Sequence, residues 1–347
     1  MTLPHSADPI RLPANQPRAR FYRGGDRIAA FRGAASAERY TPEDWIGSVT
    51  PVRGAAPVGQ TRLYDGTLLA DAITADPLGW LGAEHVRRWG ADPKLLVKLL
   101  DAGQRLPVHA HPSGAFAAAH LGAAHGKAEA WYILSPGVVY LGLREAVEPA
   151  RLRELVDAQR TEELLALLNA IEVQPHDTVY VPPGTLHAIG EGVLLAEVQE
   201  PEDLSILLEW SGFELDGVAD GHLDLGFDLA LAVVRTEADG PEQLARLVRR
   251  DHAAASSLAP AADEYFRLHR LGDGDELDAG FAIVIAAEGE LRLVPSPSDD
   301  DVVAAATGGA ADPVPLPAGS TTLVPAAFGR ARLSGSGRVL VARPPRA

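Results

Sequence analysis

Apolar residues along this chain gather in short runs broken by glycine and proline, a pattern of many short strands rather than of long helices. Residues 27–32 (RIAAFR) and 45–50 (WIGSVT) are predicted as strands, and residues 77–89 as a helical or irregular cap. The run LLVKLL at 95–100 is apolar apart from Lys98, so it is expected to be a buried strand carrying one inward charge. Further strands are predicted at 130–134, 138–143, 178–181, 193–199 and 204–210. Between residues 149 and 172, Leu152, Leu155, Val156, Leu164, Leu165, Leu167 and Leu168 recur with charges between them at the roughly 3.6-residue helical period. One or two inserted helices are predicted there, and another near residues 225–236.

Residues 237–262 mix Pro, Ser, Ala and Asp and are expected to form a connector. Beyond it, strand-like runs at 265–271, 281–286, 290–294, 321–324, 330–333 and 339–342 alternate with Gly, Pro and Asp clusters. The expected organisation is a first domain over residues 18–236 and a smaller β-barrel or sandwich over residues 263–347. The second unit has only His222, His252 and His269 near or within it and no HxH pair, so a structural or cleft-closing role is expected.

Composition narrows the function classes. The chain has 347 residues, enough for two packed domains without covalent staples, and no cysteine, so any metal must be held by imidazole, carboxylate or amide groups. Acidic residues outnumber basic ones by 47 to 31, a net charge of −16, which disfavours a nucleic-acid partner. A small anionic substrate stays open, because a few pocket cations act at short range where bulk charge is screened. No apolar stretch is long enough to cross a bilayer and Met1 to Pro17 lacks the pattern of a secretion signal, so a cytoplasmic monomer or weak homodimer is expected.

The candidate chemistry begins at LPVHAHP, residues 106–112, where His109 and His111 leave one face of an extended segment and can meet one ion. A second element is PPGTLHAIG, residues 182–190, a tight turn presenting His187. An HxH strand followed by a Pro-x-Gly-x-x-His turn resembles the pair of motifs by which cupin barrels assemble a metal site. That resemblance implies a jelly-roll barrel and a divalent ion with one or two positions left for substrate.

The segment GKAEAWYIL, residues 126–134, is similar to the glycine-lysine-threonine-glutamate-x-tryptophan signature of type I phosphomannose isomerases. Residues 95–101, 108–112, 179–192 and 195–199 agree with that family in order and spacing, and residues 25–29 and 45–48 more loosely. The resemblance implies Glu129 as the fourth metal ligand beside His109, His111 and His187, Glu197 as an acid-base group, and Lys127 as a holder of substrate oxygen or phosphate. It also implies that Lys98, Trp45 and Ser48 contact substrate, with core packing as the alternative for Trp45. Zinc is the favoured ion; iron, manganese, nickel and cobalt suit the same donors.

Two positions depart from the family. His109 stands where the family carries glutamine, and the family's active-site arginine falls near Leu207. The expected activity is therefore aldose–ketose isomerisation of mannose 6-phosphate and fructose 6-phosphate, or of a related sugar that need not be phosphorylated. A cupin oxygenase and a non-catalytic sugar-binding protein are the alternatives. His120 and His125 are read as surface residues of an alanine-rich insert.

Overall fold

The structure, a computed structural model, describes residues 7–18, 20–251, 257–296 and 312–347; His252 and part of the expected connector lie outside them. Two antiparallel sheets form the first barrel. One runs in the order Val248–Arg249, Thr178–Val181, Glu129–Ile133, Leu194–Gln199, Leu96–Asp101, Glu43–Ile46. The other runs Ile206–Leu207, His109–Ala110, His187–Ile189, Gly137–Leu143, Leu168–Val173. The strands of the first sheet are buried along their whole length apart from Val248–Arg249, which is why their sequences are apolar at nearly every position instead of alternating. Inserted helices Pro149–Asp157 and Thr161–Ala166 cover the second sheet with Leu152, Leu155, Val156 and Leu164. No helix among the described residues is long and apolar enough to cross a membrane.

A third sheet joins Ile10–Leu12, Thr321–Val324, Ala282–Pro295, Ala331–Arg343 and Arg267–Leu271, with Glu276–Leu277 and Val314–Pro317 beside it. Along Ala282–Pro295 the two faces serve different cores. Ile283 and Ile285 pack into the cluster that contains Trp80, Leu99 and Trp131, whereas Ala282, Val284, Leu291 and Leu293 fill the interior of the third sheet itself. The two β units thus share one continuous core.

Several expectations are corrected. Residues 27–32 are not a strand: Asp26–Phe31 is a helix, and its first turn is capped from a distance by Asp101, which accepts from the backbone N–H of Gly25 at 2.8 Å and of Arg27 at 3.0 Å. The strand predicted at 45–50 stops at Ile46 because Gly47 takes a φ of 58°, and only Ile206–Leu207 of residues 204–210 is paired. The helical pattern stops at Ala166; Leu168–Val173 is an edge strand, with Ile171 opposite Val139. In the connector, Pro241–Leu247 is helical but Val248–Arg249 pairs with Val179 and Thr178 and so extends the first barrel. Runs 281–286 and 290–294 are one strand bent by a bulge between Ala286 and Glu288, and runs 330–333 and 339–342 are likewise continuous through Gly335 and Gly337. Helix Leu69–Ala75 has no counterpart in the sequence reading.

Candidate metal centre and sugar pocket

Strand register places the candidate residues on facing rungs. In the first sheet Trp45, Lys98, Glu197 and Trp131 are direct cross-strand neighbours, so their side chains share one face, and Gln199 opposite Glu129 forms the next rung. In the second sheet His109 lies opposite His187. His111 follows His109 by two residues and joins the same face; the ring centroids of the three histidines lie 4.0–4.9 Å apart. The turn before His187 is tied to this strand, because the Gly184 N–H donates to the His111 carbonyl at 2.8 Å. Gly184 has φ 81°, and a Cβ there would lie 2.8 Å from the Val233 carbonyl, so the turn requires glycine.

Each imidazole is fixed by its Nδ1. His109 contacts the Pro107 carbonyl, His187 the Thr185 carbonyl and His111 the Leu204 carbonyl, all at 2.8 Å. A carbonyl only accepts, so each Nδ1 carries the proton and each Nε2 presents a lone pair inward. Burial, reinforced by the neighbouring imidazoles, holds His109 well below the ordinary histidine range; burial and the Lys127 ammonium bring His111 to about 3. The rings of His109 and His111 are therefore neutral.

Those lone pairs meet a carboxylate. Glu129 Oε2 lies 2.9 Å from His111 Nε2, and Oε1 lies 3.2 Å from His187 Nε2. Two acceptors at such a distance repel unless a positive charge lies between them. Lys127 Nζ supplies one, 2.7 Å from Glu129 Oε2 and 2.8 Å from His111 Nε2, while Trp131 Nε1 donates to Glu129 Oε1 at 3.1 Å. His187 Nε2 is fully buried and has no hydrogen-bond partner. Burial opposes charge on Glu129, but the Lys127 ammonium and the hydrogen bonds prevail and keep it well below the usual carboxylate range. The nitrogens of His109, His111 and His187 lie within 4.8 Å of one another, so this buried group can hold a metal ion, and Glu129 supplies an anionic oxygen beside it. The donor set and the orphaned His187 nitrogen fit a divalent cation.

Above the histidines opens a cavity of about 510 Å³, within the range of small-molecule sites. Lys98, Lys127, Glu129, His109 and Glu197 all line it. Burial, with the Glu129 charge adding to it, pushes the Glu197 carboxyl up to about 7 against the pull of Lys98. Its Oε2 is 3.5 Å from Lys98 Nζ, too long for a strong hydrogen bond, and has no other partner. Burial works against charge on Lys98, yet Glu43 at 3.3 Å and Glu197 together hold its pKa above that of an ordinary lysine.

Trp45 and Ser48, read from sequence as substrate contacts, do not line the cavity. Trp45 is fully buried, donates Nε1 to Glu43 at 2.7 Å and supports Lys98, whose Nζ lies 4.6 Å from its ring centre; it therefore acts behind the wall. Ser48 is turned away, its hydroxyl donating to the Thr50 carbonyl at 2.9 Å. Leu207, at the position of the family's arginine, does line the cavity. Arg20, Arg53, Glu43 and Asp203 also line it and went unread in the sequence. Arg20 and Arg53 lie in irregular segments without periodicity, and Glu43 becomes inward-facing only through its register with Leu100. His125 is buried rather than exposed, held by Asp92 at 2.7 Å and Lys94 at 2.9 Å.

No family model matches the chain. It is 34% identical over 186 residues to the mannose-6-phosphate isomerase of Streptococcus mutans, covering 52% of this chain and 54% of that protein. It is 31% identical over 190 residues to mannose-6-phosphate isomerase ManA of Bacillus subtilis, covering 53% and 56%. The chain thus spans about half the length of the curated relatives it matches. Among solved structures, mannose 6-phosphate isomerase from Bacillus subtilis superposes with a TM-score of 0.65 at 21% identity, covering 96% of this chain and 99% of that one. The apo form of the enzyme from Salmonella typhimurium gives 0.70 at 17% identity, covering 96% and 98%. The chain is thus similar in sequence, over about half its length, to proteins named mannose-6-phosphate isomerase, and it shares the fold of two solved structures of that name over nearly all of it.

Proposed function

We propose that the chain is a metal-dependent aldose–ketose isomerase, interconverting mannose 6-phosphate and fructose 6-phosphate or a related pair of sugars. The observation that carries this reading is a carboxyl with an oxygen free of hydrogen bonds, Glu197, lining the same cavity as Glu129 and as His109, whose nitrogens lie within 4.8 Å of those of the buried His111 and His187. His109, His111, His187 and Glu129 would hold the ion, with zinc favoured for this donor set and iron, manganese, nickel or cobalt suited to the same ligands. When bound, the ion supplies charge stabilisation for the enediolate oxygens.

Glu197 takes the C2 hydrogen of the open-chain aldose as a proton, the electron pair left behind forms the C1–C2 double bond while the π pair of the C1 carbonyl moves onto its oxygen, and that oxygen takes the proton of the C2 hydroxyl. Return of the proton from Glu197 to C1 gives the ketose with no net oxidation. Lys127 donates to a sugar oxygen and orients it. Lys98 stabilises the ionised form of Glu197. The absence of cysteine and a net charge of −16 support a cytoplasmic enzyme, monomer or weak homodimer, with no nucleic-acid partner.

The test is exchange of the C2 hydrogen of aldohexoses, with and without a 6-phosphate, against deuterated water. Exchange that accompanies ketose formation and is abolished by a chelator, then restored by added zinc, is the expected result. Oxygen uptake without ketose would instead identify an oxygenase, and metal binding without exchange of any sugar would sink the isomerase reading. A second prediction concerns pH. Because Glu197 must be ionised to accept a proton, kcat/KM should fall as pH drops through about 7. Removing the neighbouring positive charge in Lys98→Met raises that pKa further, so the acid limb of the profile should move to higher pH, by roughly one unit.

A further inference from the structure

The charges lining the cavity carry an inference about which sugar enters it. Every cation there is already held by an acceptor. Arg20 binds Glu43 at 3.2 Å and Asp203 at 3.5 Å, and Lys98 lies between Glu43 and Glu197. Lys127 is taken by Glu129 and His111. Arg53 binds Asp224 at 2.8 Å through its guanidinium and Asp203 at 3.1 Å through its backbone N–H. At the mouth, Glu214, Asp220 and Asp224 are all exposed. Four cations thus face seven carboxyl groups in the wall, so even a divalent ion at the histidines does not make the balance positive.

A phosphate group entering this mouth meets like charge, and each guanidinium and ammonium lining it among the described residues already contacts a carboxylate that would compete for it. Recruiting Arg20 or Lys98 would draw away one of the two counter-charges of Glu43, a carboxylate only 3% exposed. Carboxylates suit another ligand chemistry well, since each accepts hydrogen bonds from sugar hydroxyls. Deeper in, Glu197 Oε2, which has only the 3.5 Å contact to Lys98 and no hydrogen bond, adds a buried acceptor to the same lining.

We propose that the substrate is a neutral, unphosphorylated aldose, and that Asp203, Glu214, Asp220 and Asp224 determine this specificity. The inference rests on the isomerase reading for its reaction but not for its charge argument. The experiment compares free mannose with mannose 6-phosphate on the metal-loaded full chain, by kcat/KM and, separately, by binding calorimetry. Free mannose should be preferred by roughly tenfold or more, the preference should shrink as salt screens the mouth, and Asp220→Lys with Asp224→Lys should shift the ratio toward the phosphorylated sugar by a similar factor. A wild-type preference for mannose 6-phosphate overturns the inference while leaving the isomerase reading standing. If neither sugar turns over but free mannose binds more tightly, the isomerase reading falls and the specificity stands; binding of neither overturns the specificity as well.

Discussion

Alanine at position 187 is expected to leave a folded barrel that no longer retains its metal. His187 is fully buried, its Nδ1 is satisfied by the Thr185 carbonyl, and its Nε2 has no protein hydrogen-bond partner, so its inner nitrogen has a role only toward a cation. Losing an outer hydrogen-bond partner of a metal ligand costs roughly 10- to 100-fold in affinity; losing a ligand should cost more. Metal per chain after dialysis, measured by elemental analysis, should fall from one to near zero, and turnover by roughly a thousandfold or more. His187→Gln, which keeps a neutral donor atom and fills much of the space, should recover part of the metal but little of the rate. Full metal occupancy in the alanine variant would remove His187 from the ligand set.

The largest expected loss of stability comes from Asp44→Ala. Asp44 is completely buried and accepts from the Asn15 backbone N–H at 2.7 Å and from the Arg32 guanidinium, whose side chain is itself 9% exposed. Arg32 reaches on to Thr321 Oγ1 at 2.7 Å, so this one carboxylate joins the amino-terminal segment, the first helix and the third sheet. Removing it leaves a guanidinium buried without its counter-charge, and breaking a buried pair in this way costs about 3–5 kcal/mol. The urea midpoint of the variant should drop accordingly at unchanged slope. Arg32→Met in the same background should restore part of the loss, because no charge is then left unpaired; a double variant no better than the single would show that the two groups act independently.

What could be read from the sequence follows from how local the cause is. Lys98 was recognisable because a lone charge in an apolar strand has to find a buried partner, and Glu43 and Glu197 are that partner. The HxH spacing and the Pro-Pro-Gly turn are also local, and register brings His109 opposite His187. Helix Asp26–Phe31 was misread because its stabilising acceptor, Asp101, belongs to a strand far along the chain, and an apolar run of that length fits helix and strand equally well. The long strand Ala331–Arg343 reads as two runs because Gly335 and Gly337 look like turn residues, yet both, at strongly positive φ, stay paired with Leu291 and Gly289; Ala282–Pro295 reads as two because of its bulge after Ala286 and Gly289. The charge balance of the cavity mouth was illegible, since it is assembled from the 20–53 region, Asp203 and residues 214–224, segments that meet only in three dimensions.

The pairing of Ile10–Leu12 with Thr321–Leu323 has a kinetic corollary. Ile10–Leu12 leaves the ribosome long before Thr321–Leu323, with the strands of both barrels between them, so this clasp cannot close until both barrels have begun to condense. Until then the outer rim of Thr321–Val324 offers bare backbone donors and acceptors to any neighbouring chain, and a shortened version lacking residues 10–12 would carry that sticky rim permanently.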